Sequence, residues 1–254
     1  MQLSTVILAA GKGTRMKSDL VKVLHPLDGK PLLSYVLEAA RSAGSADICL
    51  IVGYQADTVR EQFRSPDISF VEQRELLGTG HAVLQAAERF KDYTGTILIL
   101  CGDVPLLQPA TLRSLWACHR EGGTAVAVLT TLLTDATGYG RIVKGPDGKV
   151  VRIVEERDAT EAEKEIKEIN TGIYCVNSLF LFEALGKVNN INAQHEYYLT
   201  DIIAIAHESG AGVGSLIAAD HREVMGINTT QDLREAHCYL EKMPGLRGYL
   251  DANR

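Results

Sequence analysis

The sequence lacks several features, and each absence excludes a class of protein. No apolar run approaches the roughly 20 residues that a membrane-spanning helix needs. The first residues enter an apolar segment directly, without the basic head of a signal peptide, so we expect a cytoplasmic protein. The five cysteines are widely spaced and form no C-x-x-C pair, which predicts buried, reduced thiols rather than a disulfide framework.

A basic surface is absent as well. Lys and Arg total 26 against 32 Asp and Glu, so the formal net charge is 26 − 32 = −6. This balance argues against binding to nucleic acid or to an anionic membrane, and neither is expected as a partner. It leaves room for a local basic pocket that binds a phosphorylated small molecule. The seven histidines show no paired metal-ligand spacing with cysteine, and no G-x-S-x-G elbow calls for a covalent nucleophile.

What is present is the composition of a folded globular chain, with 46% hydrophobic and 23% charged residues. In roughly the first 120 residues, short apolar runs alternate with amphipathic segments. This alternation predicts an α/β fold with a doubly wound, mainly parallel but mixed sheet, which binds ligands at the carboxyl ends of its strands. The predicted strands are 5–10, 48–52, 68–72 and 96–100, and the predicted helices are 31–43, 56–63 and 80–90.

The pattern changes after about residue 120. We predict strands at 124–131 and 171–176, a hairpin of 141–144 with 149–155, a short strand before residue 226, and helices at 159–166, 178–185, 198–208 and 229–241. Residues 1–228 would then form one domain, with a nucleotide-binding half over about 1–120 and an inserted mixed lobe over about 121–225. Residues 229–254 would form a C-terminal helix and tail.

A glycine-rich loop, residues 11–16, follows the first predicted strand. Glycines let the backbone approach phosphate closely, and Arg15 and Lys22 add cationic donors that suit phosphate oxygens. The loop is neither a dinucleotide fingerprint, because Met16 stands where a third glycine is needed, nor a Walker A loop. We therefore predict a phosphate loop of another kind.

Residues 8–16 read LAAGKGTRM and residues 22–25 read KVLH. Together they resemble the signature of the sugar-1-phosphate nucleotidyltransferases, most closely the N-terminal uridyltransferase domain of the bifunctional GlmU enzymes. The resemblance implies a Rossmann-like, GT-A-like nucleotidyltransferase fold in which the inserted lobe binds the sugar. Two positions depart from the family pattern. Val21 stands where proline is common, and Cys101 stands where an aromatic residue is common.

Further motifs match the family in order along the chain. They are Gln73 followed by LGTGHA at 77–82, CGDVP at 101–105, GYGRI at 138–142, VE at 154–155, INTG at 169–172, EYYLTD at 196–201 and GIN at 226–228. Taken singly, each has a plainer interpretation. Gln73 could lie at the surface, and Thr79, Asp103 or Asn228 could cap a helix. Glu155 could be a solvated charge, and Tyr197 and Tyr198 could be core residues.

The resemblance implies roles for these residues. Arg15, Lys22 and Asp103 would be catalytic, and Asp103 and Asn228 would bind Mg²⁺. The sugar would be bound by Gly140, Glu155, Asn170 and Asn228. The nucleotide would be bound by Leu8, Ala9, Ala10, Gly11, Gly13, Thr14, Lys22, Gln73, Gly78, Thr79, Cys101, Gly102 and Asp103.

The implied reaction is Mg²⁺-dependent transfer of a uridylyl group from UTP to N-acetylglucosamine-1-phosphate. Its products would be pyrophosphate and UDP-N-acetylglucosamine, a precursor for peptidoglycan and lipopolysaccharide in the cell envelope. Three alternatives stay open. They are a nucleotidyltransferase for another sugar phosphate or base, a non-catalytic sugar-nucleotide sensor, and a GT-A glycosyltransferase, for which the sequence lacks the Asp-x-Asp motif at residue 103.

The resemblance extends from about residue 5 to about residue 232. The bifunctional enzymes continue into a left-handed β-helix of hexapeptide repeats, which carries acetyl transfer and trimer assembly. Residues 243–254 contain no such repeat. We therefore expect a uridyltransferase without its acetyltransferase partner, present as a monomer or weak oligomer.

Overall fold

A computed structural model describes residues 2–242, and a mixed sheet of nine strands forms its centre. The main path of the sheet runs β11-β7-β10-β6-β1-β4-β5, and β8 and β9 attach to it through β10. The small strands β2 and β3 pair with each other separately. The strands are β1 (Leu3–Ala9), β2 (Pro26–Leu27), β3 (Lys30–Pro31), β4 (Asp47–Val52), β5 (Ile68–Glu72), β6 (Thr96–Cys101), β7 (Val126–Leu132), β8 (Arg141–Lys144), β9 (Val150–Val154), β10 (Glu168–Asn177) and β11 (Val213–Ile217).

The parallel half of the sheet contains β6, β1, β4 and β5. The sequences of β1, β4 and β6 are mostly apolar because helices cover both faces of the sheet, and most of their side chains are buried. β10 then pairs antiparallel with both β6 and β7, and β11 pairs parallel with β7. The predicted α/β class with a mainly parallel, mixed sheet is confirmed.

Helices pack on both faces of this sheet. Apolar side chains of α1, α2 and α4 bury one face, and those of α3, α6 and α7 bury the other. The helices are α1 (Leu32–Ala43), α2 (Ala56–Gln62), α3 (Thr79–Leu84), α4 (Pro109–Glu121), α5 (Glu161–Lys164), α6 (Ser178–Leu185), α7 (Asp201–Glu208) and α8 (Thr230–Lys242). None of the helices within residues 2–242 is both long enough and apolar enough to cross a membrane.

Several predicted elements have different bounds in the structure. The helix predicted at 80–90 is helical only over α3, and turns follow it. The helix predicted at 198–208 begins at Asp201, because the backbone of Tyr197 instead bonds with Leu77 and Gly80. The helix predicted at 159–166 is the single turn α5, capped at its start by Thr160.

Two other segments differ from the prediction in position or were not predicted. The short strand expected before residue 226 is β11, which ends at Ile217, and a 3₁₀ turn (His221–Val224) separates it from residue 226. Helix α4 was not predicted. Its amphipathic pattern begins at Pro109, a residue type that favours the first helical turn. The tail predicted at 243–254 lies outside the described residues.

The segment over 121–225 is continuous with the central sheet through β7, β10 and β11. Its hairpin, β8 with β9, turns through residues 145–149, where the Gly145 N–H donates to the Lys149 carbonyl at 2.9 Å. The division into a nucleotide-binding half and a sugar-binding lobe stays a prediction.

Asp201, the first residue of α7, makes folding sensitive to pH. Burial, and to a smaller extent the charge of Asp158, raises the pKa of its carboxyl group from 3.8 to about 6. The folded protein therefore holds this proton more tightly than the unfolded chain, and stability falls as the pH rises between these two values.

We expect Asp201→Asn to raise the free energy of unfolding near pH 8 by on the order of 1 kcal/mol, given partial exposure to water. The advantage should disappear as the pH approaches about 4. Urea unfolding across this range measures the difference. Glu208→Gln, which removes an exposed charge from the last residue of α7, is the matched control. An Asp201→Asn variant less stable than the wild type near pH 8 would contradict this account.

Candidate active site

A cavity of about 320 Å³ opens at the carboxyl ends of β1 and β6, beside the start of α3. It contains most of the residues expected to bind nucleotide, while Gly13, Thr14 and Gly102 lie outside its lining. The structure thus brings these side chains together, and their role in binding stays a prediction. The lining residues are Leu8, Ala9, Ala10, Gly11, Lys22, Val23, Gln73, Leu76, Gly78, Thr79, Ala82, Cys101, Asp103 and Glu196.

The glycine-rich loop follows β1 and passes beside Lys22. Gly13 adopts a left-handed conformation with φ 69°, and a Cβ there would lie 2.5 Å from Lys22 Cβ. A side chain at residue 13 would therefore displace both the loop and the lysine. Within residues 2–242, no protein group accepts a hydrogen bond from the backbone N–H groups of residues 11, 12 and 13. These donors are available to an anion.

Gln73 forms the opposite wall of the cavity. It is only 4% exposed, and its backbone N–H extends the β4–β5 pairing by donating to the Val52 carbonyl. Its side-chain Nε2 donates to the Gly78 carbonyl at 3.0 Å and lies 3.1 Å from His81 Nδ1. The contact with a carbonyl, which can only accept, assigns the amide nitrogen to that side and leaves Oε1 as an acceptor. A surface role for Gln73 is excluded.

Thr79 and Gly78 shape the same wall. The Thr79 hydroxyl accepts from the Leu199 backbone N–H at 3.1 Å, so it ties two segments together instead of capping α3. Gly78 has φ 110°, and a Cβ there would lie 2.6 Å from the Tyr197 carbonyl oxygen. Only glycine allows this close approach of the two backbones.

Four polar side chains from distant parts of the chain meet at the end of the cavity. Lys22 Nζ donates to Asp103 Oδ2 and, at 3.0 Å, to Asn228 Oδ1. Arg15 Nη2 donates to the same Asn228 oxygen at 2.8 Å. The Lys22 and Asp103 side chains are 17% and 15% exposed, so their charges face each other with little intervening water.

Asn228 is positioned for this cluster because another residue caps the helix that follows. The backbone N–H groups of Asn228 and Thr229 both donate to Asp232 Oδ2 at 2.8 Å. The Asp232 N–H donates back to Thr229 Oγ1 at 3.2 Å, a reciprocal cap for α8. The Asn228 side chain is therefore free to point at Lys22 and Arg15.

The oxygen atoms of Asp103 and Asn228 suit Mg²⁺. Both already face one positive charge, the Lys22 ammonium, and both are hard donors of the kind Mg²⁺ prefers. Among the described residues, no group of three or more His, Cys, Asp or Glu side chains could hold a metal. With only these two protein ligands, a bound Mg²⁺ would take its remaining ligands from substrate phosphates and water.

Cys101 lies where the family resemblance implies an aromatic residue. Its Sγ atom is 3.7 Å from the Gly172 carbonyl oxygen. Burial, followed by the negative charge of Asp103, raises the pKa of the thiol to about 12, so it stays protonated and a poor nucleophile. The smaller side chain can supply none of the ring contacts that an aromatic residue would make here.

Three of the four residues expected to bind sugar, Gly140, Glu155 and Asn170, form a second group beside β10, whereas Asn228 lies in the cluster with Arg15 and Lys22. The Asn170 N–H donates to the Gly140 carbonyl at 2.8 Å. A Cβ on Gly140 would lie 3.4 Å from Glu155 Oε2, so the three residues adjoin. The pKa of Glu155 is raised, mainly by burial. A hydrogen bond from the Thr200 hydroxyl, at 3.0 Å, acts in the opposite direction and lowers this pKa. Glu155 is therefore not the solvated charge that its sequence context favours.

Sequence reasoning missed the residues that orient this site. His81 contacts Gln73, Thr200 donates to Glu155, and Tyr174 donates to Asn170. His81 and Thr200 lie within motifs that were recognised, but Tyr174 lies in an apolar strand and carries no local signal.

Known proteins resemble this chain in sequence and in fold. The sequence profile of the MobA-like NTP transferase domain matches residues 5–139, more than half of the chain. The bifunctional protein GlmU of Geobacter metallireducens is 54% identical over 235 residues, which is 92% of this chain and 49% of that protein. GlmU of Brevibacillus brevis is 48% identical over 241 residues, covering 95% and 52%. The chain spans about half the length of the curated relatives it matches.

Among solved structures, a UDP-glucose pyrophosphorylase in complex with UDP-glucose superimposes with a TM-score of 0.78. The sequences are 18% identical, and the match covers 95% of this chain and 99% of the other, so the likeness concerns the fold. The family resemblance predicted from the motifs is confirmed. The chain belongs to the MobA-like NTP transferase domain family and is similar to the N-terminal part of the bifunctional GlmU proteins.

Proposed function

We propose that this chain transfers a uridylyl group from UTP to N-acetylglucosamine-1-phosphate, forming UDP-N-acetylglucosamine and pyrophosphate. The observation that carries the proposal is the meeting of Arg15, Lys22, Asp103 and Asn228 at the end of a cavity whose far wall presents the Gln73 amide. The identity of about 50% to GlmU proteins supports the same assignment. The product would serve as a cytoplasmic precursor for cell-wall synthesis.

The chemistry needs positioning and charge neutralisation rather than a general base. The sugar phosphate is ionised at neutral pH, and one of its oxygens attacks the α-phosphorus of UTP. The bond from this phosphorus to the bridging oxygen breaks, and the electron pair leaves with pyrophosphate. Two anions must therefore approach in line, which preorganised positive charge makes easier.

The chain's own residues divide this work. The free N–H groups of residues 11–13, with Arg15, would bind the triphosphate and the leaving pyrophosphate. Asp103 and Asn228 would hold Mg²⁺, which supplies charge neutralisation to the phosphates when bound. Lys22, which touches both of those residues, is close enough to stabilise charge that develops at the reacting phosphate.

On the base side, the polarity of Gln73 favours uracil. Its Nε2 is already used by the Gly78 carbonyl, so Oε1 is the atom left for the ligand. Uracil carries a hydrogen at N3 and can donate to this oxygen, whereas N3 of cytosine is an acceptor and would be repelled. A fixed acceptor is thus a physical basis for preferring UTP over CTP.

The metal assignment is tested by Asp103→Ala. We expect the variant to lose Mg²⁺-dependent release of pyrophosphate from UTP and N-acetylglucosamine-1-phosphate, by about 10³-fold or more in kcat/KM. A coupled pyrophosphate assay measures this loss. Asp92→Ala, at an exposed carboxylate preceding β6, is the control and should keep wild-type activity. Near-normal release by Asp103→Ala would remove Asp103 from the mechanism.

The role of Lys22 is tested by comparing Lys22→Met with the wild type. If the ammonium acts mainly in the transition state, kcat should fall by about 10²-fold while the KM for UTP changes by only a few-fold. Initial rates over a range of UTP concentrations separate the two effects. A large rise in KM with unchanged kcat would instead assign Lys22 to ground-state binding.

Base selectivity is tested by Gln73→Ala. Removing the fixed acceptor should lower the ratio of kcat/KM for UTP to that for CTP by about tenfold or more. Gln62→Ala, an exposed glutamine at the end of α2, is the matched control. An unchanged ratio in Gln73→Ala would show that another group selects the base.

A further inference from the structure

The orientation of the Asn170 side chain is determined inside the protein. Asn170 lies on β10 where the strand's register against β7 shifts between Asn170 and Ile173. Its Oδ1 accepts from the Gly172 backbone N–H at 3.0 Å and from the Tyr174 hydroxyl at 2.9 Å. A backbone N–H is only a donor, so this contact identifies the atom beside it as the amide oxygen.

This arrangement leaves Asn170 with only donors for a ligand. A carbonyl-type oxygen has two lone pairs, and two protein donors already use them. In the described part of the chain, no protein atom accepts from Asn170 Nδ2. The nitrogen therefore has both N–H groups available.

Tyr174 is the neighbour most affected if the side-chain amide of Asn170 rotates, because its hydroxyl donates to Asn170 Oδ1. Its side chain is 1% exposed and packs with the apolar side chains on the face of the sheet that α3, α6 and α7 cover. Burial raises the pKa of its hydroxyl well above the usual value, so it remains a donor. If the Asn170 amide turned over, its Nδ2 group would face this hydroxyl and the Gly172 N–H, donor against donor.

The neighbouring Glu155 presents the opposite polarity. Its Oε1 accepts from the Thr200 hydroxyl at 3.0 Å, while Oε2 lies on the side of Gly140. A ligand between the two residues would meet N–H donors on one side and a carboxylate acceptor on the other. This combination suits a sugar that offers an acceptor, such as the carbonyl of an acylamino group, together with hydroxyl donors.

We propose that Tyr174 is a positioning residue that holds Asn170 as a donor-only group, and so selects sugar phosphates with an acceptor at that point. The inference rests on the proposed function, because it assigns selectivity to the sugar side of the same site. Tyr174 itself does not touch the substrate and acts through Asn170.

The Tyr174→Phe variant tests this proposal, because it removes only the hydroxyl that donates to Asn170. We expect the KM for N-acetylglucosamine-1-phosphate to rise about tenfold while the KM for UTP changes less than about twofold. The preference for this substrate over glucose-1-phosphate should also fall. Tyr93→Phe, whose hydroxyl donates to the Gln2 carbonyl and lies near the start of β6, is the matched control and should change neither KM.

A double-mutant cycle separates positioning from a general structural effect. In an Asn170→Ala background, Tyr174→Phe should cause no further rise in the KM for the sugar phosphate. Full additivity, or a Tyr174→Phe variant with both KM values and the sugar preference unchanged, would overturn the proposal. If Tyr174→Phe folds poorly, the Asn170→Asp variant tests the donor-only assignment of Asn170 instead. It replaces the donors with an acceptor, and wild-type affinity for the sugar phosphate would overturn the donor-only assignment.

Failure of the proposed reaction would be seen separately. Calorimetric titration of the wild type and Tyr174→Phe with UDP-N-acetylglucosamine compares affinity without turnover. A wild type that binds UDP-N-acetylglucosamine, but releases no pyrophosphate when given UTP and N-acetylglucosamine-1-phosphate, would refute the uridylyl transfer. The comparison of the two affinities would still stand. Equal affinity of the two proteins would refute the role of Tyr174.

Discussion

The site depends on the contact that brings the Lys22 ammonium to the oxygen atoms of Asp103 and Asn228. Lys22 lies between β1 and β2, Asp103 follows β6 and Asn228 precedes α8, so no local structure holds them together. A partly buried positive charge needs oxygen partners, and a partly buried carboxylate needs a positive one. Their mutual attraction closes one end of the cavity and concentrates positive charge where phosphates would bind.

The parallel half of the sheet makes this contact possible. β1 and β6 are neighbours and run in the same direction, so the loop after one and Asp103 after the other emerge at the same edge. The Gly102 N–H donates to the Leu8 carbonyl at 2.9 Å, which continues the pairing beyond β6. Arg15 adds a second cation through Asn228, and the reciprocal cap of α8 keeps the Asn228 side chain available. Positioning of charge is thus a consequence of strand order and of one helix cap.

Sequence reasoning predicts the parts of the structure that local pattern determines. The apolar runs of β1, β4 and β6 follow from periodicity, and helix α1 follows from its apolar stripe and from Pro31 and Gly44, which flank its two ends. It fails where tertiary contacts outweigh local preference. Tyr198 continues a helical pattern, yet the preceding residue bonds to the segment around Gly78, and α7 begins only at Asp201.

The candidate site shows the same division. Arg15, Lys22 and Asp103 stand in motifs that can be read directly, because glycine-rich loops and strand-end carboxylates have characteristic sequences. The polarity of Gln73 and Asn170 cannot be read in this way, since an amide is both donor and acceptor until its neighbours are known. Those neighbours, the Gly78 carbonyl and the Tyr174 hydroxyl, are determined by the fold.

The central proposal is that the site transfers a uridylyl group to a sugar phosphate and breaks the bond between that group and pyrophosphate. Its most direct test runs the reaction backwards, with UDP-N-acetylglucosamine, pyrophosphate and Mg²⁺. The account predicts UTP and N-acetylglucosamine-1-phosphate in equal amounts, with no turnover when pyrophosphate is omitted. Release of UDP and free sugar, or consumption of the sugar nucleotide without pyrophosphate, would contradict it.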